Sequence, residues 1–223
     1  MSLSHRYKEG KKHLRPWTQL LIVSKNQELS AVKEYYQLGH RHFAENRVQD
    51  LLERAKNLSA DCPHIRWSMI GHLQRNKVKS LLQMTGLHSI HSIDSVKLVG
   101  ELLKVGSENI VDVFLQFKTS GEQEKFGFTR EQEMLEAARL LQNSYFRLRG
   151  LMTMGAIRSE DHQLAARECF ERLVAIQQKW LKGEQKKLFY REQIQLSMGM
   201  SQDYAIAAKL GAHWVRVGTL LFA

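Results

Sequence analysis

A lysine closes the first apolar run of the chain, Leu20-Leu21-Ile22-Val23-Ser24-Lys25. Such a run fits a parallel strand buried on both faces. At the carboxyl end of that strand Lys25 would stand at the mouth of an α/β core, where low-dielectric surroundings disfavour the ammonium form. The freed amine attacks aldehydes and forms Schiff bases. A lysine that snorkels to water fits the same run. Two later segments suggest an anion site. In Ser197-Met198-Gly199-Met200-Ser201-Gln202-Asp203, Ser201 or a neighbour can cap the helix that follows, and Gly199 lets a ligand approach the backbone. In Val215-Arg216-Val217-Gly218-Thr219, Gly218 again permits close approach and Thr219 offers a hydroxyl and an amide. Read separately, each is also an ordinary turn.

Arg216 shares a strand face with Trp214 and Gly218. Turned inward, its guanidinium needs a partner: a ring nitrogen, a carboxylate ligand or an internal salt bridge. Asn46 follows Phe43-Ala44-Glu45 and can reach a ligand oxygen or cap the next helix, while Glu45 and Arg47 fit ordinary surface pairs. Ten histidines include His40, His42, His72, His88 and His91, none spaced with carboxylates as a metal site requires. There is no Gly-x-Ser-x-Gly elbow. Met152, Met154, Met198 and Met200 fall at strand ends, as core filling or as the lining of a flat ligand.

Strands are expected over 18–25, 41–44, 65–70, 88–93, 110–117, 146–153, 193–197 and 212–217. Helical periodicity occupies 28–38, 46–58, 73–84, 95–104, 130–142, 160–180 and 202–210. Eight strands alternating with helices predict a (β/α)8 TIM barrel, with chemistry at the carboxyl ends of the strands. No Gly-x-Gly-x-x-Gly turn supports the rival open sheet. Residues 1–17 read as a basic segment ahead of one barrel domain, 18–223.

The 223 residues carry a net charge of +10, from 33 basic and 23 acidic side chains. That balance favours anionic partners. The basic residues are scattered without aromatic interleaving, so nucleic acid is an unlikely partner. No apolar window is long enough for a membrane span, and the polar N-terminus is not a secretory signal. Cys62 and Cys169 form no disulfide framework, so a cytoplasmic protein is expected.

Seven ordered motifs carry a family resemblance from about residue 18 to the end. They are Ile22-Val23-Ser24-Lys25, Phe43-Ala44-Glu45-Asn46-Arg47-Val48-Gln49, and Trp67-Ser68-Met69-Ile70-Gly71-His72-Leu73-Gln74-Arg75-Asn76-Lys77. Thr119-Ser120-Gly121-Glu122 with Lys125-Phe126-Gly127 and Gly150-Leu151-Met152-Thr153-Met154 follow, and the two late segments close the series. The chain resembles the pyridoxal phosphate homeostasis proteins, which are similar to the barrel domain of alanine racemase without its second domain. The resemblance implies pyridoxal 5′-phosphate (PLP) held as a Schiff base on Lys25, with Asn46 near the ring and Arg216 facing the pyridine nitrogen. It also implies phosphate contacts from Ser201, from the amides of Gly199 and Met200, and from Gly218 and Thr219, with Ser197 in the same set. An arginine at the ring nitrogen makes a weaker electron sink, so a monomeric holder, buffer or deliverer of the cofactor is expected, with PLP-dependent apo-enzymes as recipients. The alternatives are a PLP-dependent racemase or decarboxylase and, from charge alone, a nucleic-acid-binding protein. The chain departs from the family pattern at Ser68, where histidine is usual, at Ala44, at Gly155 and at Gln27-Glu28.

Overall fold

Each apolar run becomes one stave of a closed parallel barrel. The computed structural model describes residues 2–120, 126–156 and 159–223, so Gly121, Glu122 and Lys125 of the fourth motif lie outside the described residues. The chain opens with α1 (Leu3–Lys11), then β1 (Gln19–Val23), α2 (Leu29–Gln37), β2 (His42–Glu45) and α3 (Val48–Leu58). β3 (Arg66–Met69), α4 (Val78–Leu82), β4 (Leu87–Ile93), α5 (Val96–Val105) and β5 (Val111–Gln116) follow. The second half contains α6 (Glu131–Leu140), β6 (Phe146–Met152), α7 (His162–Lys182), β7 (Gln195–Ser197), α8 (Tyr204–Lys209), β8 (Trp214–Val217) and α9 (Thr219–Phe222). Every strand pairs with its sequence neighbour. β8 closes the cylinder against β1 in the register Gln19↔Trp214 to Ile22↔Val217. The β7–β8 seam runs past the end of β7, because Met198 N–H donates to Trp214 O and Arg216 N–H to Gly199 O.

Strand alternation divides the apolar residues into two layers. Along β1, Leu20 and Ile22 join the larger core between barrel and helices. Leu21 and Val23 point inward with Ala44, Phe114, Met152 and Trp214. The helices meet the outer layer with one apolar stripe each. On α5, Ser95 caps the start by accepting from Leu98 N–H at 3.3 Å, Leu98, Val99 and Leu102 are buried, and Gly106 ends the helix at φ 72°. The helix expected over 73–84 is a 3-10 turn at Arg75–Lys77 followed by the short α4.

The barrel interior is more polar than its apolar strands suggest. Arg216 Nη1 donates to Ser197 Oγ at 2.9 Å, and Ser197 Oγ lies 2.8 Å from His91 Nδ1. His91 Nε2 lies 2.9 Å from Ser89 Oγ, which meets Ser68 Oγ at 2.7 Å. Ser68, a departure from the family pattern, thus ends a hydrogen-bonded chain that crosses the cylinder.

The N-terminal segment forms α1, which packs on α2 and α9. Leu3, Tyr7 and Leu14 join the outer core, so the Lys8–Lys12 cluster, which reads as a tail in sequence, belongs to a docked helix. Tyr7 Oη is 3.0 Å from His40 Nδ1, and His40 Nε2 is 2.8 Å from the His42 carbonyl. That carbonyl can only accept, so Nε2 carries the proton and Nδ1 accepts from Tyr7.

Burial holds His40 down at about 4 and His42 at about 3. It also lowers His88, His91 and His213. An unfolded chain takes up these protons near the ordinary value of 6.5, while folded His40 waits until about 4. Between those values the unfolded state binds more protons, so this stability is complete above 6.5 and lost as pH falls towards 4. Burial raises Glu45 and Asp203 and works in the opposite sense, but the imidazoles outnumber them. Urea midpoints at about pH 7.5 and about pH 5 are expected to drop on acidification. An unchanged or higher acid midpoint would contradict these assignments.

Candidate functional site

The carboxyl ends of β1, β2, β3 and β8 and the loop after β7 enclose a cavity of about 720 Å³. Seven residues singled out from sequence line it: Lys25, Asn46, Met200, Ser201, Arg216, Gly218 and Thr219. Ser197 and Gly199 do not. Ser197 lies beneath the floor, with its hydroxyl committed to Arg216 and His91. Gly199 lies behind Met200 at φ 94°, where an added Cβ would come within 2.5 Å of Ala207 Cβ on α8. Its backbone and its contact with α8 both demand glycine.

Lys25 stands two residues past the end of β1, lines the cavity and is exposed, as the water-reaching alternative expects, and is not enclosed in low-dielectric surroundings. The loop that carries it is tightly held. Ser24 Oγ donates to Glu45 Oε1 at 2.7 Å, and Arg54 Nε meets the same oxygen at 3.1 Å. Arg54 Nη2 reaches on to the Gln27 carbonyl at 2.6 Å. One buried ion pair therefore grips the β1–α2 loop on both sides of Lys25. Glu45 is fully buried and is not the surface residue expected from sequence. Burial raises its carboxyl above the ordinary range, against the lowering effects of Ser24, Arg54 and Lys25. Its Oε2 has no hydrogen-bond partner among the described residues.

Asn46 does not cap α3, whose N-cap is Arg47 with no side-chain bond. Its side chain is left to the cavity. Gly71 brings the β3 loop so close that a Cβ there would be 2.0 Å from the Asn46 carbonyl oxygen.

Arg216 forms the floor. It is buried, and besides Ser197 it donates from Nη2 to Thr153 O at 2.8 Å. Burial lowers it to about 10, although Asp203 pulls the other way. No carboxylate lies within ion-pair distance among the described residues, so the internal salt bridge open from sequence is not formed. Its bonded partners are neutral acceptors. A guanidinium has five N–H donors, and Arg216 also lines the cavity, so it offers that space donors and positive charge.

Ser201 and Gly218 form a hydrogen-bonded corner. Ser201 Oγ accepts from Gly218 N–H at 3.2 Å and Leu220 N–H at 3.4 Å, so it ties the β7 loop to the start of α9 and does not cap α8. A Cβ on Gly218 would lie 3.0 Å from the Val23 carbonyl oxygen. Asp203 shapes the β7 loop, accepting from Met200 N–H at 2.5 Å. Burial raises its carboxyl, against the opposing bond from Met200 and the charges of Arg216 and His162. Its Oδ2 lies 3.9 Å from His162 Nε2.

Ile70, Gly71, Met154, His162 and Asp203 also line the cavity. Ile70, Gly71, Met154 and Asp203 fall inside quoted motifs, and Met154 is one of the methionines that the sequence offers as lining for a flat ligand. His162 opens α7 outside every quoted motif, and no spacing marks it.

The alanine racemase N-terminal domain model matches residues 1–223. A mouse pyridoxal phosphate homeostasis protein is 35% identical over 211 residues, 91% of this chain and 75% of the relative. Its Synechocystis counterpart is 33% identical over 213 residues, 94% of this chain and 92% of the relative. The structure of PipY from Synechococcus elongatus with PLP bound is 30% identical, with a TM-score of 0.86 and 100% of each chain covered. Alanine racemase from E. faecalis shares the fold at 14% identity and a TM-score of 0.72, over 98% of this chain and 57% of that one. By fold and by sequence alike, the chain belongs to the alanine racemase N-terminal domain family and, within it, to the pyridoxal phosphate homeostasis proteins.

Proposed function

We propose that the protein holds pyridoxal 5′-phosphate in this cavity and buffers or delivers it to PLP-dependent apo-enzymes, without steady catalysis of its own. One observation carries the reading: a primary amine, a buried guanidinium and the hydroxyl-bearing Ser201 and Thr219 of two loops line the same 720 Å³ space. The residues present fit the cofactor. Lys25 would make the covalent attachment through Nζ. Ser201 and Thr219 would hold the phosphate through their hydroxyls, and the Met200 and Gly218 amides, which donate to Asp203 Oδ1 and Ser201 Oγ without ligand, would have to turn to it on binding, with Gly199 giving the loop its shape. Arg216 would donate to the ring nitrogen, Ser197 would keep the guanidinium in place from below, and Asn46 would lie beside the ring. When bound, the cofactor supplies an aldehyde that condenses with a primary amine.

The chain's own groups favour holding over turnover. The Arg216 charge opposes a proton on a facing ring nitrogen, which weakens the electron sink that carbanion chemistry needs. A racemase or decarboxylase also needs a free acid or base near the reacting carbon. Asp203 and His162 line the cavity, but they face each other, with Oδ2 3.9 Å from Nε2, while Asp203 Oδ1 accepts from Met200 N–H and His162 Nδ1 bonds to Ala156 O at 2.7 Å.

Borohydride treatment of cofactor-loaded protein followed by peptide mapping is expected to place a single adduct on Lys25. An adduct on another lysine overturns the assignment. Sustained exchange of an amino acid's α-hydrogen with solvent would favour the enzyme reading instead.

A further inference from the structure

A second cationic groove lies at the opposite end of the barrel. The amino-terminal ends of β2, β3 and β4 and the turns before them enclose about 590 Å³, lined by Arg41, His64, Arg66 and His88 with Ile65, Gly86 and Leu87. No carboxylate lines it. Arg66 is exposed, and its side chain makes no ion pair or hydrogen bond among the described residues. Arg41 is already aimed: its guanidinium stacks 3.8 Å from the Tyr36 ring centroid, and Nη1 is pinned by the Tyr36 and His40 carbonyls at 2.7 and 2.8 Å. The neighbouring acid, Asp112, is taken by Arg147 at 2.8 Å and Arg149 at 3.5 Å. His88 is held below its ordinary value first by burial, then by the charges of Arg66, Arg147 and Arg149, against the pull of Asp112. Positive potential is thus concentrated here without a partner of its own.

We propose that this groove is an anion site, separate from the Lys25 cavity, for a small molecule bearing two or more phosphoryl groups. Its donors come from three adjacent strands and the turns before them. A tetrahedral oxyanion presents oxygens to all three directions, whereas a carboxylate offers two in one plane. Two strand steps of roughly 4.8 Å give a width of about 10 Å, more than one phosphoryl group covers. The arginine fork suits phosphoryl oxygens. No phenylalanine, tyrosine or tryptophan lines the groove, so it lacks the stacking platform of a single-stranded nucleic-acid site. Arg66 is the main electrostatic anchor, and Arg41 supplies a pre-oriented second cation.

The test is calorimetric titration of the full chain with tripolyphosphate at low ionic strength, using wild type, Lys25→Ala, Arg66→Ala and Arg66→Glu. Saturable binding is expected in wild type and equally in Lys25→Ala. Arg66→Ala should weaken it about tenfold or more, the equivalent of one charge-assisted hydrogen bond. Arg66→Glu should abolish it, and cofactor loading at Lys25 should stay unchanged in both Arg66 variants. Absence of binding, or binding indifferent to Arg66→Glu, overturns the site. Loss in Lys25→Ala would mean that tripolyphosphate occupies the cofactor cavity, which also overturns it. Equal affinity for orthophosphate or citrate rejects the ligand class, and tighter Arg66-dependent binding of a single-stranded oligonucleotide rejects a small molecule as occupant.

Discussion

Lys25→Ala is expected to abolish the borohydride-fixed cofactor adduct and to leave the fold intact. The side chain is exposed and carries none of the core, so the variant should unfold at the wild-type urea midpoint. Non-covalent affinity is expected to persist in part, because Arg216, Ser201 and Gly218 still line the cavity. Equilibrium dialysis should therefore show weakened but saturable uptake, and mass spectrometry after reduction should show no added mass. A stoichiometric adduct in the variant would mean that another amine does the capturing. Loss of folding would mean that Lys25 supports the barrel, and would remove the basis for reading it as a free nucleophile.

The second large effect lies one shell further from the cavity. Glu45→Ala removes the acceptor of Ser24 and leaves the Arg54 guanidinium, 14% exposed, without its partner. Breaking one side of a buried ion pair costs about 3–5 kcal/mol, because the remaining charge stays desolvated. Arg54→Ala strands the Glu45 carboxylate and also releases the Gln27 carbonyl. Both single variants are expected to lose stability in urea unfolding, and the double variant should lose less than their sum. Cofactor capture should slow in each, since the loop around Lys25 loses its anchor. A Glu45→Ala protein within about 1 kcal/mol of wild type would show that the pair contributes little.

The barrel was readable because β1 is a continuous apolar run and eight strand signals alternate with helical stripes, although the four-residue β2 is the weakest of them. The cavity was readable for a related reason: strand ends in a parallel barrel converge, so Lys25, Asn46, Arg216 and Gly218 had to meet if the staves were placed correctly. Local sequence failed where the deciding partner is distant. Glu45 beside Arg47 looks like a surface pair, and only the packing of α3 reveals Arg54 as its buried partner. Ser201 looks like a cap for the helix just ahead, yet it bonds to backbone that enters with β8 and α9. The basic face of α1 masks Leu3 and Tyr7, whose burial depends on a surface built by the rest of the chain. The groove around Arg66 was invisible for the same reason, since its members are scattered over three strands and the turns before them.

The docking of α1 reaches further than its size suggests. An added Cβ on Gly10 would lie 2.9 Å from Leu221 Cδ2, and Tyr35 Oη donates to the Leu221 carbonyl at 2.6 Å. The opening helix is therefore the backrest of α9, whose first residues help hold the phosphate in the proposed complex. Displacing α1, by a fused tag or a bound partner, is expected to loosen α9 from a distance, without touching any residue of the cavity.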